Sequence, residues 1–298
     1  MKTNDNKEMI LELEQCAADI SNRLGELVAT GNQSYAKLLE AMRYSLLAGG
    51  KRIRPVMCVK FCEAAGGTPE AALDAACAVE MMHTYSLIHD DLPCMDDGDM
   101  RRGKPSNHKK YGEYTAVLAG DALQAAAFDT ILRSDLAPDL VVKISQVLSE
   151  SSGPHGICGG QYLDLQGVWT PHTEDMLTEI HNMKTAVLMS AAAQIGVIAA
   201  GGTPEQVKAA EKYALAVGFA FQVRDDVLDS TAMDRELGKP IGSDLEANKI
   251  TFAMLLGIDE CEEIIRAETE KAIAALEGQY SDTAFLEWLA QYLAERKS

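Results

Sequence analysis

The spacing of apolar residues predicts a protein built from helices. Within residues 71–88, 116–132 and 207–228, apolar side chains recur at intervals of three and four, the period of one face of an α-helix. Clusters of glycine and proline, which end helices and form turns, separate these stretches at positions 49–50, 66–69, 93, 103–105, 153–154, 171, 201–204 and 238–240. We therefore predict an all-α fold of about ten helices. No low-complexity linker or shift in composition divides it, which favours one domain.

A five-residue repeat marks the start of two predicted helices. Gly-Gly-Thr-Pro-Glu at residues 66–70 recurs at residues 201–205, and in each copy glycine ends one helix while Thr-Pro-Glu begins the next. A pair of aspartates follows 20 residues after each glutamate, at 90–91 and at 225–226. A rise of about 1.5 Å per residue then gives two helices of about 30 Å that end in carboxylates. Either the repeat is a coincidence of common capping chemistry, or two related helices present a shared cation site.

The acids around the second pair require a counter-charge. Asp225 and Asp229 are four residues apart and face the same way on a helix, with Asp226 beside them. Like charges at this spacing destabilise an isolated helix, and the flanking residues are largely apolar. We therefore expect a bound cation to neutralise these carboxylates.

The first pair continues into an acidic loop. Pro93 disfavours continuation of the helix after Asp90 and Asp91, and a turn there can bring Asp96 back toward Asp90. Carboxylate oxygens suit Mg²⁺ or Ca²⁺, whereas no His/Cys set suits zinc and the spacing is not that of an EF-hand. One acidic run alone is more often a solvated helix end, but two such runs favour a metal site.

The charge of the chain narrows the ligand of this site. With 27 Lys and Arg against 45 Asp and Glu, the net charge of −18 argues against a nucleic-acid surface. Basic residues nevertheless gather in two short loops, beside Gly50 and directly after the first acidic run; they are Lys51, Arg52, Arg54, Arg101, Arg102 and Lys104. Metal-binding carboxylates next to Arg and Lys predict a diphosphate bridged by Mg²⁺. For Arg52 and Lys104 taken singly, ordinary surface charge is an equal alternative.

Two further patterns concern the location of the protein. The longest apolar stretch, residues 187–200, contains Ser190 and Gln194 and is shorter than the ~20 residues of a membrane span, so we expect a buried helix there. Residues 1–14 are polar and acid-rich, unlike a leader, and the seven cysteines are scattered without a Cys-x-x-Cys pair. We therefore expect a cytoplasmic protein with reduced thiols and no membrane span.

A frayed tail is expected around residues 295–297, the alternative being that this basic segment folds over the site.

At these motifs the sequence resembles the trans-isoprenyl diphosphate synthases, and closely their bacterial farnesyl diphosphate synthase (geranyltranstransferase) branch. The matching motifs follow the order of the family at residues 50–55, 82–96, 101–105, 159–161, 184–185, 221–229 and 238–240. One departure is Gly98, which interrupts an acidic run that is often unbroken in relatives. This departure puts the local turn in doubt, not the aspartates before it.

The resemblance implies a fold and a reaction. The fold is a single-domain antiparallel bundle of about ten or more helices around a central cavity, spanning residues 1–298. The reaction joins isopentenyl diphosphate to dimethylallyl or geranyl diphosphate through ionisation, attack and proton loss, and yields farnesyl diphosphate. A geranylgeranyl diphosphate synthase is the main alternative; a terpene cyclase and a non-catalytic prenyl synthase subunit are less favoured. Relatives commonly form homodimers.

The resemblance also implies a role for each matched residue. About three Mg²⁺ ions, for which Mn²⁺ could substitute, would be held by Asp90, Asp91, Asp96, Asp225, Asp226 and Asp229. The allylic diphosphate would be bound by Arg101, Lys184 and Lys239. The diphosphate of isopentenyl diphosphate would be bound by Lys51, Arg54, His83 and Arg102, and Gln161 would also contact substrate. The allylic carbons would face Thr185 and Gln222.

Product length is the finer question. By the pattern of the family, bulky Tyr85, five residues before Asp90, would form the floor of the hydrocarbon site, with small Ser86 beside it. That floor indicates a fifteen-carbon product, although residues 92–95, Leu-Pro-Cys-Met, are equally typical of relatives that form geranylgeranyl diphosphate. The alternative is that Tyr85 is a packed core residue.

Overall fold

The computed structural model describes residues 3–31, 33–166, 173–237 and 250–296. In the first half of the chain the elements are α1 (Thr3–Leu27), α2 (Ala36–Leu46), α3 (Ile53–Ala64), α4 (Pro69–Asp90), β1 (Met100–Arg101), β2 (Lys104–Pro105), α5 (Asn107–Tyr111), α6 (Glu113–Leu132) and α7 (Pro138–Ser152). The second half contains α8 (Ile157–Gln166), α9 (Glu174–His181), a π-helical segment (Asn182–Ala186), α10 (Val187–Ala199), α11 (Pro204–Leu237), α12 (Phe252–Leu256), α13 (Ile258–Leu276) and α14 (Ala284–Ala294). The all-α prediction is confirmed.

The chain divides into two compact units. Unit one comprises Met1–Leu148 and Ala192–Thr203, and unit two comprises Ser149–Ala191 and Pro204–Ser298. The first aspartate motif belongs to unit one and the second to unit two. The single domain over residues 1–298 stays a prediction.

Helix α4 forms the centre of unit one and packs against α3 and α6. Most of its residues are buried, and many of them are alanines, whose small side chains allow neighbouring helices to approach closely. As predicted, α4 begins at Pro69 within the repeat and ends at Asp90. Gly196 of α10 provides another close contact, since a Cβ there would lie 2.0 Å from the carbonyl oxygen of Cys58 in α3. The apolar stretch predicted as a buried helix is α10.

Helix α11 is the longest element of unit two and packs against α13 and the π-helical segment. The C-terminal half of α11 buries Val223 and Val227 in a core with Phe252 and Ile265. The repeat correctly predicted its start at Pro204, but the predicted end at the second aspartate pair is wrong, because α11 continues to Leu237. No proline follows this pair as Pro93 follows the first, so nothing in the backbone stops the helix there.

Two other expectations were that no helix spans a membrane and that the thiols are reduced. None of the described helices combines the length and the apolar character needed to cross a bilayer. All seven cysteines are free thiols, and Cys58, Cys62 and Cys77 are buried within unit one. Burial raises the pKa of the Cys62 thiol to about 11, which keeps it protonated and unreactive near neutral pH.

Candidate active site

The first aspartate motif forms at the end of α4. The backbone N–H of Asp96 donates to the carbonyl of Asp90 at 3.0 Å, so the chain turns back after Pro93 as predicted. Gly98 lies against the carboxylate of Asp91, and a Cβ at this position would approach Asp91 Oδ1 to 2.9 Å. The glycine that departs from the family pattern therefore lets the loop close over Asp91.

Arg101 holds the two aspartates at the end of α4. Its guanidinium contacts Asp91 Oδ1 at 2.6 Å and lies 3.7 Å from Asp90 Oδ2. Burial opposes ionisation of Arg101, but the hydrogen bond to Asp91 and the charges of both aspartates outweigh it and raise its pKa. The short β1–β2 hairpin positions this arginine directly after the acidic loop. The structure therefore brings together an arginine and two aspartates that the sequence motifs had singled out.

The backbone around this motif is unusual. Arg52, Asp97 and Arg102 have φ values of 51°, 48° and 52°, in the left-handed region that non-glycine residues rarely adopt. All three lie in the basic or acidic loops that the sequence had marked as candidate chemistry. Backbone strain of this kind concentrates at functional sites, where surrounding contacts maintain it.

A buried ion pair supports the basic loops. Arg52 is only 4% exposed; its guanidinium donates to Glu80, which is 1% exposed, and to the carbonyl of Leu46. Arg102 also lies 3.8 Å from Glu80 and donates to the carbonyl of Gly49. The alternative that Arg52 is ordinary surface charge is therefore wrong. Sequence reasoning missed Glu80, although a single acid within the apolar run of residues 75–82 was a usable signal.

His83 lies within this arginine cluster. Its Nε2 is 3.5 Å from Arg54 Nη1. Burial, together with the positive charges of Arg54 and Arg102, holds the pKa of His83 well below its usual range. The ring is therefore neutral near pH 7 and can offer one hydrogen-bond donor to an anion, while the arginines supply the charge. Lys51 is exposed just before α3.

Unit two contains a second group of predicted site residues on the π-helical segment. Such segments are rare in proteins overall, and those that occur often lie at functional sites. This one carries Lys184 and Thr185. Two glycines allow other helices to contact its backbone. A Cβ at Gly160 of α8 would lie 2.4 Å from the backbone nitrogen of Lys184, and one at Gly218 of α11 would lie 2.6 Å from Ala186 Cα. Gly160 of the 159–161 motif therefore allows α8 to pack closely against the π-helical segment.

Polar contacts fix the side chains of this segment. Lys184 Nζ donates to Asp164 Oδ2 at 2.7 Å, and Asp164 is 7% exposed. Thr185 Oγ1 donates to Gln222 Oε1 at 2.8 Å, so these two predicted residues are neighbours. Gln161 is half-buried, one turn before Asp164 on α8. Sequence reasoning missed Asp164, which occurs 20 residues before its partner and belongs to no motif quoted above.

The three aspartates of the second motif differ in their surroundings. Asp225 is partly exposed and pairs with Arg296 at 2.5 Å, and Asp229 is exposed one turn later on α11. Asp226 is instead buried; its Oδ2 accepts the backbone N–H of Phe252 at 2.9 Å. Asp225 and Asp229 therefore share an accessible face, while Asp226 holds the start of α12 against α11.

The donor set fits a hard divalent cation. Within the described residues, no three His, Cys, Asp or Glu side chains gather as a ready-made metal cage. Mg²⁺ does not require one, because it is usually bound by one or two carboxylates together with substrate phosphates and water. An arginine guanidinium lies at Asp91 and another at Asp225, so an aspartate of each motif is paired with a positive side chain. Lys239 lies outside the described residues. Whether the two motifs face each other stays a prediction.

Comparison with known proteins identifies the family. The sequence matches the polyprenyl synthetase family over residues 35–287. The chain belongs to this family. It is 48% identical over 267 residues to geranylgeranyl pyrophosphate synthase 11, chloroplastic, of Arabidopsis thaliana, covering 86% of this chain and 74% of the relative. Geranylgeranyl pyrophosphate synthase 12, chloroplastic, of the same plant is 47% identical, with 90% and 77% covered.

Solved structures agree with this assignment. An FPP/GFPP synthase from Zymomonas mobilis superposes with a TM-score of 0.88 at 34% identity, covering 97% of this chain and 99% of that one. The polyprenyl synthetase has the isoprenoid synthase fold and is a transferase of the prenyltransferase class. The fold class and the enzyme class predicted from the motifs are confirmed.

The expectation of a cytoplasmic location is wrong. Both Arabidopsis relatives are chloroplastic by name. The expectation depended on an acid-rich start and on reduced thiols. Free thiols report a reducing environment and do not identify the compartment that provides it.

Replacing His83 with glutamine is expected to make stability less sensitive to mild acid. An unfolded histidine takes up a proton near pH 6.5, whereas folded His83 does so only at lower pH. The unfolded state then binds more protons, so wild-type stability falls as the pH drops below about 6.5, by up to ~1.4 kcal/mol per pH unit from this residue. Urea unfolding at pH 7.5, 6.5 and 5.5 measures the effect. Parallel pH profiles of the two proteins would contradict it.

Replacing Asp164 with asparagine is expected to reduce kcat/KM about ten- to a hundredfold, because Lys184 loses the carboxylate that fixes its ammonium group. Steady-state kinetics with an allylic diphosphate and isopentenyl diphosphate measure this change. The matched control is Asp74→Asn, which breaks the ion pair with Arg23 in unit one at the same 2.7 Å separation. Equal activity losses in the two variants would indicate general destabilisation and reject a positioning role for Asp164.

Proposed function

We propose that this prenyltransferase condenses isopentenyl diphosphate with an allylic diphosphate and forms geranylgeranyl diphosphate as its principal product. The observation that carries the proposal is the 48% identity to a synthase named for that product, over 86% of the chain. The structure related to farnesyl diphosphate chemistry is less similar in sequence, at 34% identity. The farnesyl product expected from the motifs is therefore the second candidate, favoured by bulky Tyr85.

The proposed reaction begins with departure of the allylic diphosphate. The residues that would hold Mg²⁺ are Asp90, Asp91 and Asp96 in unit one, and Asp225 with Asp229 in unit two. The chemistry expected from bound Mg²⁺ is neutralisation of the charge that develops on the leaving diphosphate. Arg101 in unit one and Lys184 in unit two would each add charge-assisted hydrogen bonds to phosphate oxygens. Both are already oriented by carboxylates, so little reorganisation precedes binding.

The allylic cation that forms needs stabilisation without a nucleophile that would trap it. Thr185 and Gln222 supply oriented dipoles, and because Thr185 donates its proton to Gln222, its own oxygen lone pairs remain available toward the cation. The buried apolar and alanine-rich faces of α4 and α10 would exclude water, which would otherwise quench the cation. The released diphosphate is a suitable acceptor for the final proton, so no side-chain base is required.

The arginine cluster of unit one favours condensation over cyclisation. A terpene cyclase binds a single diphosphate, which leaves Arg54, His83 and Arg102 without a purpose. We propose that this cluster binds the diphosphate of isopentenyl diphosphate, with the arginines supplying charge and neutral His83 a hydrogen bond. Partial neutralisation of Arg52 and Arg102 by Glu80 lets several guanidinium groups lie close together before the anion binds.

We propose in addition that the protein acts as a homodimer. Support comes from α6, where Tyr114, Val117 and Leu118 are exposed at spacings of three and four and form one apolar face. A helix face of this kind is typical of an interface with a second copy.

Incubating the purified chain with isopentenyl diphosphate, dimethylallyl diphosphate and Mg²⁺ is expected to give geranylgeranyl diphosphate. After phosphatase treatment, mass spectrometry identifies the twenty-carbon alcohol, and EDTA is expected to suppress its formation. A product that stops at fifteen carbons would support the farnesyl candidate instead. Consumption of neither substrate, with a cyclic product from a longer diphosphate, would contradict condensation and favour a cyclase.

Replacing Tyr85 with alanine is expected to lengthen the product. Tyr85 is 5% exposed and its ring lies edge-on to that of His89, with the centroids 5.7 Å apart. Removing a bulky floor would leave room for at least one further five-carbon unit. The matched control is Tyr85→Phe, which keeps the ring and is expected to keep the wild-type length. If both variants give the wild-type product by mass spectrometry, Tyr85 is a core residue and not the floor.

A further inference from the structure

Arg296 makes several close contacts with α11. It lies two residues beyond the end of α14, outside the segment that matches the family. One guanidinium nitrogen is 2.5 Å from Asp225 Oδ1, and the same nitrogen donates to the carbonyl of Phe221 at 3.0 Å. The guanidinium carbon lies 3.7 Å from the centroid of the Phe221 ring. The Arg296 side chain is only 10% exposed, so these contacts are not those of a frayed tail.

A second arginine secures this end of the chain without using Asp225. Arg224 Nε donates to the carbonyl of Ala294 at 2.6 Å, and its guanidinium makes two bonds of 2.5 and 2.6 Å to Glu262. These bonds tie the end of α14 to α11 and α13. Arg296 is therefore delivered to Asp225 by contacts that persist whether or not the two side chains are paired.

The contact with Asp225 sets up a competition. Asp225 and Asp229 lie one turn apart on α11, and like charges at this spacing call for a counter-cation. Arg296 occupies one oxygen of Asp225, and a metal ion cannot bind that oxygen while the guanidinium remains there. The hydrogen bond to the Phe221 carbonyl and the cation–π contact with the Phe221 ring would keep Arg296 nearby after it leaves the carboxylate.

From these contacts we infer that Arg296 is a built-in counter-cation for the second aspartate motif, which pairs with Asp225 when no metal is bound and is displaced when a divalent ion binds. This inference rests on the metal site included in the proposed function. Arg296 then lowers metal affinity and stabilises the metal-free protein. It is a positioning residue for Asp225.

The test measures Mn²⁺ binding to the full chain without substrate, using the free-ion signal in electron paramagnetic resonance. Arg296→Met removes the charge and keeps an apolar stem over Phe221, and it is expected to tighten Mn²⁺ binding about threefold or more. Arg296→Lys keeps the positive charge but loses the planar guanidinium. Its Mn²⁺ affinity is expected to lie between those of Arg296→Met and the wild type. Without metal, Arg296→Met is expected to melt below wild type, and saturating Mn²⁺ is expected to narrow this difference.

Two controls separate this role from a general effect of removing an arginine. Arg266→Met removes a guanidinium on α13 in the same unit and is expected to leave Mn²⁺ affinity unchanged, because Arg266 pairs with Glu263. In an Asp225→Asn background, Arg296→Met is expected to have no further effect on Mn²⁺ binding. Unchanged or weakened Mn²⁺ affinity in Arg296→Met, or equal tightening in Arg266→Met, would overturn the inference.

The outcome is distinguishable from a failure of the proposed function. Tighter Mn²⁺ binding in Arg296→Met, with no prenyl product from the wild type, would support the counter-cation and reject the reaction. A twenty-carbon product from the wild type, with unchanged Mn²⁺ affinity in Arg296→Met, would support the reaction and reject the counter-cation.

Discussion

Neutralisation of partly buried carboxylates is the constraint on which the charged clusters of both units depend. Burying a carboxylate costs several kcal/mol of desolvation free energy unless a cation or strong hydrogen bonds replace its hydration. In unit one Arg101 provides that compensation for Asp91, and Arg52 provides it for Glu80. In unit two Arg296 pairs with Asp225, while the Phe252 amide satisfies Asp226. These acids are therefore already paired in the folded protein, and under the inference above a metal ion at Asp225 would take the place of Arg296.

The same constraint explains why so many of the basic residues are fixed. Lys184 and Arg102 each have long side chains that lose up to ~2 kcal/mol of conformational freedom when immobilised. Their carboxylate partners, Asp164 and Glu80, hold them in place before substrate binds. Under the proposed function a diphosphate would meet oriented donors, because the cost of ordering them has been met in folding. The glycines at 160 and 218 contribute by allowing backbone contact with the π-helical segment that carries Lys184.

The sequence predicted what local chemistry determines. Pro69 and Pro93 bracket α4, so its limits and the turn that returns Asp96 to Asp90 followed from spacing alone. The end of α11 did not follow, because no comparable breaker stands near Asp225. The partners of charged residues were also missed, since Glu80 is 28 residues from Arg52 and their pairing arises only when helices pack. The π-helical segment has no recognisable local signature, and its contacts with Gly160 and Gly218 depend on tertiary structure.

Product length shows why a single position is a weaker guide than the whole chain. Tyr85 does not act alone, because its ring lies against His89, and His89 in turn contacts the carbonyl of Val117 at 3.0 Å and fits where Gly120 has no side chain. The position of the tyrosine ring is therefore set by α6 as well as by α4. An apolar pocket discriminates by only about 1–3 kcal/mol per methylene, so if Tyr85 is the floor, small shifts of this packed pair would change how far a chain can grow. Similarity over most of the chain samples all of these contacts together, which is why our proposal follows the name of the similar synthase and not Tyr85 alone.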